Sequence, residues 1–191
     1  MNKHYIGIDP GKHGGIVVID SNKNFISKHV IPMIGDDIDL HEFYHIFQVM
    51  KRRAELDGCQ IHVCREQVHA IFGSAAGSTF TFGYVVGLID MMIVSEKLSF
   101  SKLQPKEWQA SVWLESEIER EPDKKSVSKN GKEKTTKGKV KTKIVSLKAA
   151  KRLFPSVQFH SELKNGKFAK NPHDGWIDAI LIAEACRRLN H

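Results

Sequence analysis

Tyr5-Ile6-Gly7-Ile8-Asp9-Pro10-Gly11-Lys12-His13-Gly14-Gly15 is the stretch on which the fold turns. Apolar Tyr5, Ile6 and Ile8 predict a buried strand, and the strand ends on a carboxylate, Asp9. Pro10 and Gly11 turn the chain at once. Gly14 and Gly15 lead into a second apolar run, Ile16-Val17-Val18-Ile19-Asp20, so the segment is a β-hairpin with an acid near its centre line. A carboxylate in an apolar strand is costly to bury unless something pairs with it. A metal ion is one such partner; a turn or a helix cap is the plainer role. What decides between them is whether other carboxylates converge on Asp9.

Outward from the hairpin, Phe25 to Ile31 alternates and stops at Pro32, a third strand that completes an antiparallel meander. Leu40, Phe43, Phe47 and Met50 recur at helical spacing, which predicts an amphipathic helix from Asp39, its N-cap, to about Asp57, with Gly58 as its stop. Gln60 to Glu66 reads as a short, buried parallel strand, and it too ends on a carboxylate. Strand ends of open α/β sheets are where sites gather. Gly77 to Leu98 predicts a long helix that is apolar over more than one face, as a fully buried helix or half of a dimer interface would be. Ser99 to Gln104 is a fifth strand, and Pro105 opens a short helix through Trp113. Ile144, Leu147, Ala150 and Leu153 define another helix, and residues 158–170 read as irregular. The last helix starts at Pro172-His173-Asp174 and runs to Leu189. In it Asp174 and Asp178 stand four apart, on one face, where like charges repel. The positive end of the helix dipole accounts for Asp174 and leaves Asp178, set among apolar neighbours, unexplained.

With 191 residues and 41% hydrophobic content, the chain has room for one well-packed domain. No apolar run reaches the roughly 18–20 residues of a membrane span, and the N-terminus lacks a signal-peptide core, so a cytoplasmic or nucleoid-associated protein with no membrane partner is expected. Cys59, Cys64 and Cys186 form no even framework and are expected as reduced thiols. The net charge of +7 is local: between Arg120 and Lys143 stand ten basic and three acidic residues, and the rest of the chain is neutral. This basic segment, about 115–142, has almost no apolar residues and is expected to be a flexible insert suited to phosphate contact; a solvated loop without a partner is the alternative.

Asp9, Glu66, Asp174 and Asp178 come from two strand ends and the first turns of one helix. They meet if that helix packs over the first strand. Hard oxygen ligands favour Mg²⁺, with Mn²⁺ as substitute, over zinc. Two such ions stabilise the attacking and leaving oxygens of an in-line phosphoryl displacement.

The order of a hairpin with Gly-Ile-Asp-Pro-Gly, a strand ending in Glu-Gln-Val, a long helix, a strand, and a C-terminal helix with Asp-Gly-x-x-Asp-Ala resembles the RuvC-like Holliday-junction resolvases. Gln-Pro-Lys-Glu-Trp-Gln, Lys-Ala-Ala-Lys-Arg-Leu-Phe-Pro and His-Asp-Gly-Trp-Ile-Asp-Ala-Ile-Leu-Ile-Ala look closest to the phage and plastid branches. The resemblance implies an α/β, RNase H-like fold: a five-stranded mixed sheet, an antiparallel meander plus parallel strands, flanked by helices. It implies an Mg²⁺-dependent endodeoxyribonuclease of DNA recombination and repair, a homodimer that binds four-way junctions and nicks two opposing strands symmetrically. It assigns two metal ions per site to Asp9, Glu66, Asp174 and Asp178, and brings Lys141 or Lys143 to the scissile phosphate. His69 and Phe72, in the loop after Glu66, would lie near the junction centre. Lys12, Lys106, Lys124, Lys125, Lys129, Lys132, Lys134, Lys137 and Lys139 are the expected DNA contacts. The best-known bacterial members space the last two ligands by three rather than four, and His173 stands beside Asp174 as an alternative ligand.

Other readings share part of this pattern. An RNase H-like nuclease of other branched DNA or of RNA–DNA hybrids would use the same metal chemistry. A non-catalytic junction-binding protein would have lost one of the acids, and all four are present. Actin-like ATPases also open with Gly-x-Asp-x-Gly, but they duplicate the domain, and 191 residues leave no room for a second copy.

Overall fold

The structure is a computed structural model that describes residues 2–67, 75–127 and 133–190, with backbone alone for 126, 127 and 134. Strands β1 (Lys3–Asp9), β2 (Gly15–Asp20) and β3 (Phe25–Val30) form the antiparallel meander. A small ribbon, β4 (Met33–Ile34) and β5 (Asp37–Ile38), leads to helix α1 (Leu40–Leu56). The Asp39 side chain accepts from Glu42 N–H at the start of α1, and Gly58, at φ +62°, releases the chain beyond its end. Then come β6 (Gln60–Glu66), α2 (Ala76–Ser95), β7 (Ser99–Leu103) and α3 (Pro105–Val112). The five-stranded sheet has the order β3-β2-β1-β6-β7, with β1, β6 and β7 parallel.

A 3₁₀ turn at Glu115–Glu117 precedes a hairpin of β8 (Lys124–Val127) and β9 (Glu133–Thr136). Helix α4 (Thr142–Leu153), the hairpin β10 (His160–Glu162) and β11 (Phe168–Pro172), and α5 (Asp174–Leu189) complete the chain. Both hairpins fall where composition alone predicts irregular chain. The basic excursion is rooted at its base: Arg120 bridges Val140, Glu121 N–H donates to the Lys139 carbonyl (2.8 Å), and Lys141 N–H to the Glu119 carbonyl (2.8 Å).

Strand periodicity divides the core in two. Tyr5, Val17, Ile19 and Cys64 face α3, α4 and α5; Ile6, Ile8, Ile16, Val18 and Val63 face α1 and α2. Helix α5 lies directly on the backbone of the meander. A Cβ at Gly7 would collide with the Ala179 carbonyl and Ala183 N–H, and one at Gly15 would stand 2.5 Å from the Gly175 carbonyl oxygen. Glycine is required at these crossings because the two backbones meet there.

Helix α2 turns Val85, Ile89 and Ile93 into the core. It is pinned by a bidentate pair, Arg65 Nε to Asp90 Oδ1 at 2.6 Å and Nη2 to Oδ2 at 2.8 Å. Its outer face exposes Phe80, Tyr84, Met91 and Val94. The sequence reading finds no apolar run of bilayer length, yet α2, at 20 residues, is long and apolar enough by those measures to cross a membrane. Its inner face and the Arg65–Asp90 pair hold it against the sheet. A second departure concerns the thiols. Cys64 on β6 and Cys186 on α5 form a disulfide, with Cα atoms 5.7 Å apart, and Cys59 is free. At a sequence separation of 122, no local spacing reveals the pair.

Candidate active site

The site grows from two strand ends. Parallel pairing that sets Ile8 beside Arg65 carries Asp9 and Glu66 side by side at the C-terminal ends of β1 and β6. Alternation points both toward α5, on the side of Tyr5 and Cys64. The glycine crossings at Gly7, Gly15 and Gly175 let the first turns of α5 approach this edge, so Asp174 and Asp178 arrive on the same side.

The electrostatics report the convergence. Asp9 is held well above the usual carboxylate range, by burial first and then by the charges of Asp178, Glu66 and Asp174. Asp178 is pushed up to about 6, again by burial first, with Glu66 and Asp174 adding to the rise and a Ser146 hydrogen bond and Lys143 opposing it. Burial raises Glu66, while the indole of buried Trp108 donates Nε1–H to Glu66 Oε1 (2.8 Å) and works the other way. Asp174 is the exposed member, and its Oδ2 lies 2.5 Å from Lys143 Nζ. That hydrogen bond, and then the charge of Asp174, raise the Lys143 pKa.

A cluster of acids with one lysine partner suits a divalent cation. The hard oxygen donor set excludes a zinc-type thiolate or imidazole cage here. Among the described residues, the one trio of donor atoms within 4.8 Å of one another is His62, Cys64 and Cys186. The two sulfurs of that trio are joined to each other, and both His62 nitrogens contact serines, Nδ1 with Ser99 and Nε2 with Ser101 (3.0 Å each). The carboxylates stand further apart than that trio, with Asp174 turned to Lys143.

Of the two lysines expected at the phosphate, Lys143 reaches the acids and Lys141 pairs with Glu119 (2.7 Å). His173 is the N-cap of α5: its Nδ1 accepts from Trp176 N–H (3.2 Å), and its ring stacks on the Trp176 indole. Lys12 pairs with Asp36 (2.6 Å) near the hairpin turn, and Lys106 is exposed on α3. Lys124 and Lys125 lie exposed on β8, Lys134 lies on β9, and Lys137 and Lys139 are exposed in the segment after β9. His69, Phe72, Lys129 and Lys132 lie outside the described residues.

Sequence reasoning missed Trp108 and Ser146. Both are buried residues with a polar group, and each directs it at an acid of the cluster. A tryptophan or serine in an apolar helix carries no separate signal of that aim until the strand ends are placed.

No family profile and no curated protein matches the chain. Solved structures do match. Thermus thermophilus RuvC in complex with a Holliday junction substrate aligns with a TM-score of 0.53 and 11% identity, over 98% of this chain and 96% of that one. A second Thermus thermophilus RuvC structure aligns with a TM-score of 0.51 and 14% identity, over 97% of this chain and 92% of that one. The chain has the RuvC-like, RNase H-like fold.

Proposed function

We propose that the protein is a divalent-metal-dependent endonuclease that resolves four-way DNA junctions by paired, symmetric nicks. The observation that carries this reading is the meeting of Asp9, Glu66, Asp174 and Asp178 at one edge of a RuvC-like sheet, with Lys143 at their open side. The junction-bound Thermus thermophilus RuvC, which spans nearly the whole chain, supports the choice of substrate.

Mg²⁺ bound by the acids would polarise the scissile phosphate and lower the pKa of an attacking water. The chain's own residues do the rest. Glu66 is oriented by the Trp108 indole, and Asp178 by the Ser146 hydroxyl. Asp9 is fixed by the β1 ladder beside Glu66. Lys143 exchanges its bond to Asp174 for the phosphate, where its charge offsets that developing on the non-bridging oxygens. The rooted basic hairpin, with Lys124, Lys125, Lys137 and Lys139 exposed, holds a duplex arm by counterion release.

The exposed face of α2 supports a homodimer. Phe80, Tyr84 and Met91 lie outward, and an added Cβ at Gly77, Gly83 or Gly87 would meet nothing within 4 Å. Small residues between large apolar ones let two helices approach closely. A two-fold pair of sites is what a symmetric junction requires.

The test is cleavage in Mg²⁺ of a synthetic four-way junction beside linear duplex, flap and RNA–DNA hybrid of the same sequence. Paired nicks at symmetric positions, confined to the junction, are expected. Equal cutting of flaps or hybrids would refute junction resolution and leave a general RNase H-like nuclease. No cutting of any substrate, with Mn²⁺ also tried, would refute the enzyme.

A further inference from the structure

Beside the acidic cluster, between α4, β11 and the start of α5, runs a groove of about 450 Å³ that shares Lys143 and Asp174 with the cluster and extends beyond it. Its floor is apolar: Ile144, Leu147, Pro172 and Ile177. Its α4 rim carries Lys143, Lys148 and Lys151, and its β11 wall carries Asn171. One end opens on Asp174, the acid that holds Lys143.

Helical spacing spreads Lys143, Leu147, Lys151, Ile144 and Lys148 over one broad side of α4, so that lysines and apolar side chains share the wall of the groove. At about 1.5 Å per residue, the rim from Lys143 to Lys151 is about 12 Å long. At about 3.4 Å of rise per nucleotide, that is the length of three to four stacked nucleotides. The groove has room for an unpaired nucleotide and is too small for a duplex.

We propose that this groove seats the DNA strand that continues from the scissile phosphate, with one unstacked base against Ile144, Leu147 and Pro172. Lys148 and Lys151 contact its phosphates, and the Asn171 amide meets the base edge, where it can donate and accept. Charge complementarity selects a polyanion over an apolar peptide, and the aliphatic Ile144, Leu147, Pro172 and Ile177 select a base over a bare phosphate. The assignment rests on the nuclease reading for which phosphate is scissile, but the binding it describes does not depend on turnover.

The experiment therefore measures binding, in Ca²⁺ so that the carboxylates are neutralised. Protein carrying ¹³C-labelled Ile and Leu methyl groups is titrated with a single-stranded thymidine hexanucleotide, then with a blunt-ended duplex long enough to stay paired. Ile144 and Leu147 methyl signals are expected to shift with the single strand and stay still with the duplex. A series of hexanucleotides, each with one abasic position, follows by fluorescence anisotropy. One position is expected to weaken binding about tenfold in the wild-type protein, and the penalty is expected to disappear in Ile144→Ser. Ile144 is 39% exposed, so serine there leaves the core filled. Still methyl signals, a shift driven equally by duplex, or an abasic penalty that survives in Ile144→Ser would each overturn the proposal. Binding at the groove by a protein that cuts no junction would keep this inference and sink the nuclease reading.

Discussion

Removing a charge from the acidic cluster should stabilise the metal-free protein, and Asp178→Asn is the sharpest way to ask. Asp178 has its pKa raised from 3.8 to about 6 in the folded chain. At about 1.4 kcal/mol per pH unit, the rise amounts to about 3 kcal/mol of instability once the group is ionised. The sign follows from linkage: the folded state binds the proton more tightly than the unfolded one, so stability falls as pH rises from about 4 to about 6 and is level above that. Asparagine has no charge to bury and keeps an oxygen for the Ser146 hydroxyl. Urea unfolding in EDTA should therefore give equal stabilities for variant and wild type at pH 3.5, and an advantage of up to about 3 kcal/mol for the variant at pH 7.5. The four acids interact, so the curve reports the cluster rather than one residue. Saturating Mg²⁺ should erase the advantage, because binding to the folded state alone stabilises the wild type. If Asp178→Asn is no more stable than wild type at pH 7.5 in EDTA, or is equally favoured at both pH values, the cluster is not strained by its own charge and the reasoning fails.

Three other perturbations test neighbouring parts of the structure. Gly15→Ala places a Cβ 2.5 Å from the Gly175 carbonyl oxygen, against 3.4 Å for ordinary contact, so the start of α5 must retreat by about an ångström. Calorimetric titration should show Mn²⁺ affinity at least tenfold weaker in a folded variant, and unchanged affinity would mean that the α5 crossing does not set the ligand positions. Trp108→Phe removes the N–H that favours ionised Glu66, so the acidic limb of the cleavage pH profile should move to higher pH while junction binding is kept; a stationary limb would end that role. Met91→Glu puts a charge on the exposed face of α2, and sedimentation should show a monomer in place of a dimer, whereas an unchanged mass would move the interface elsewhere.

Much of this molecule is legible in the chain because its elements obey simple periods. Gln60–Glu66 and the Asp39-capped helix sit where alternation and helical spacing put them. The four acids stand out as candidates in the sequence because each breaks a local rule, a charge at the end of an apolar strand or beside its like on a helix. The hairpins at 124–136 and 160–172 are not legible, since polar strands paired only with each other leave no alternation of burial to read. That Lys143 and not Lys141 lies beside Asp174 is a fact of packing, since Glu119 holds Lys141 at the N-cap of α4. Trp108 and Ser146 act through tertiary aim alone.

The disulfide between Cys64 and Cys186 closes a covalent ring around nearly two thirds of the chain. Inside that ring lie α2, the basic hairpin and α4, which are the surfaces proposed for the partner subunit and the DNA. A protease that nicks the lysine-rich excursion therefore cannot release either half. The two pieces run as one band on a gel without reductant and separate once thiol is added. A nicked molecule keeps Asp9 and Glu66 on one fragment, Asp174 and Asp178 on the other, and a sulfur bond between them.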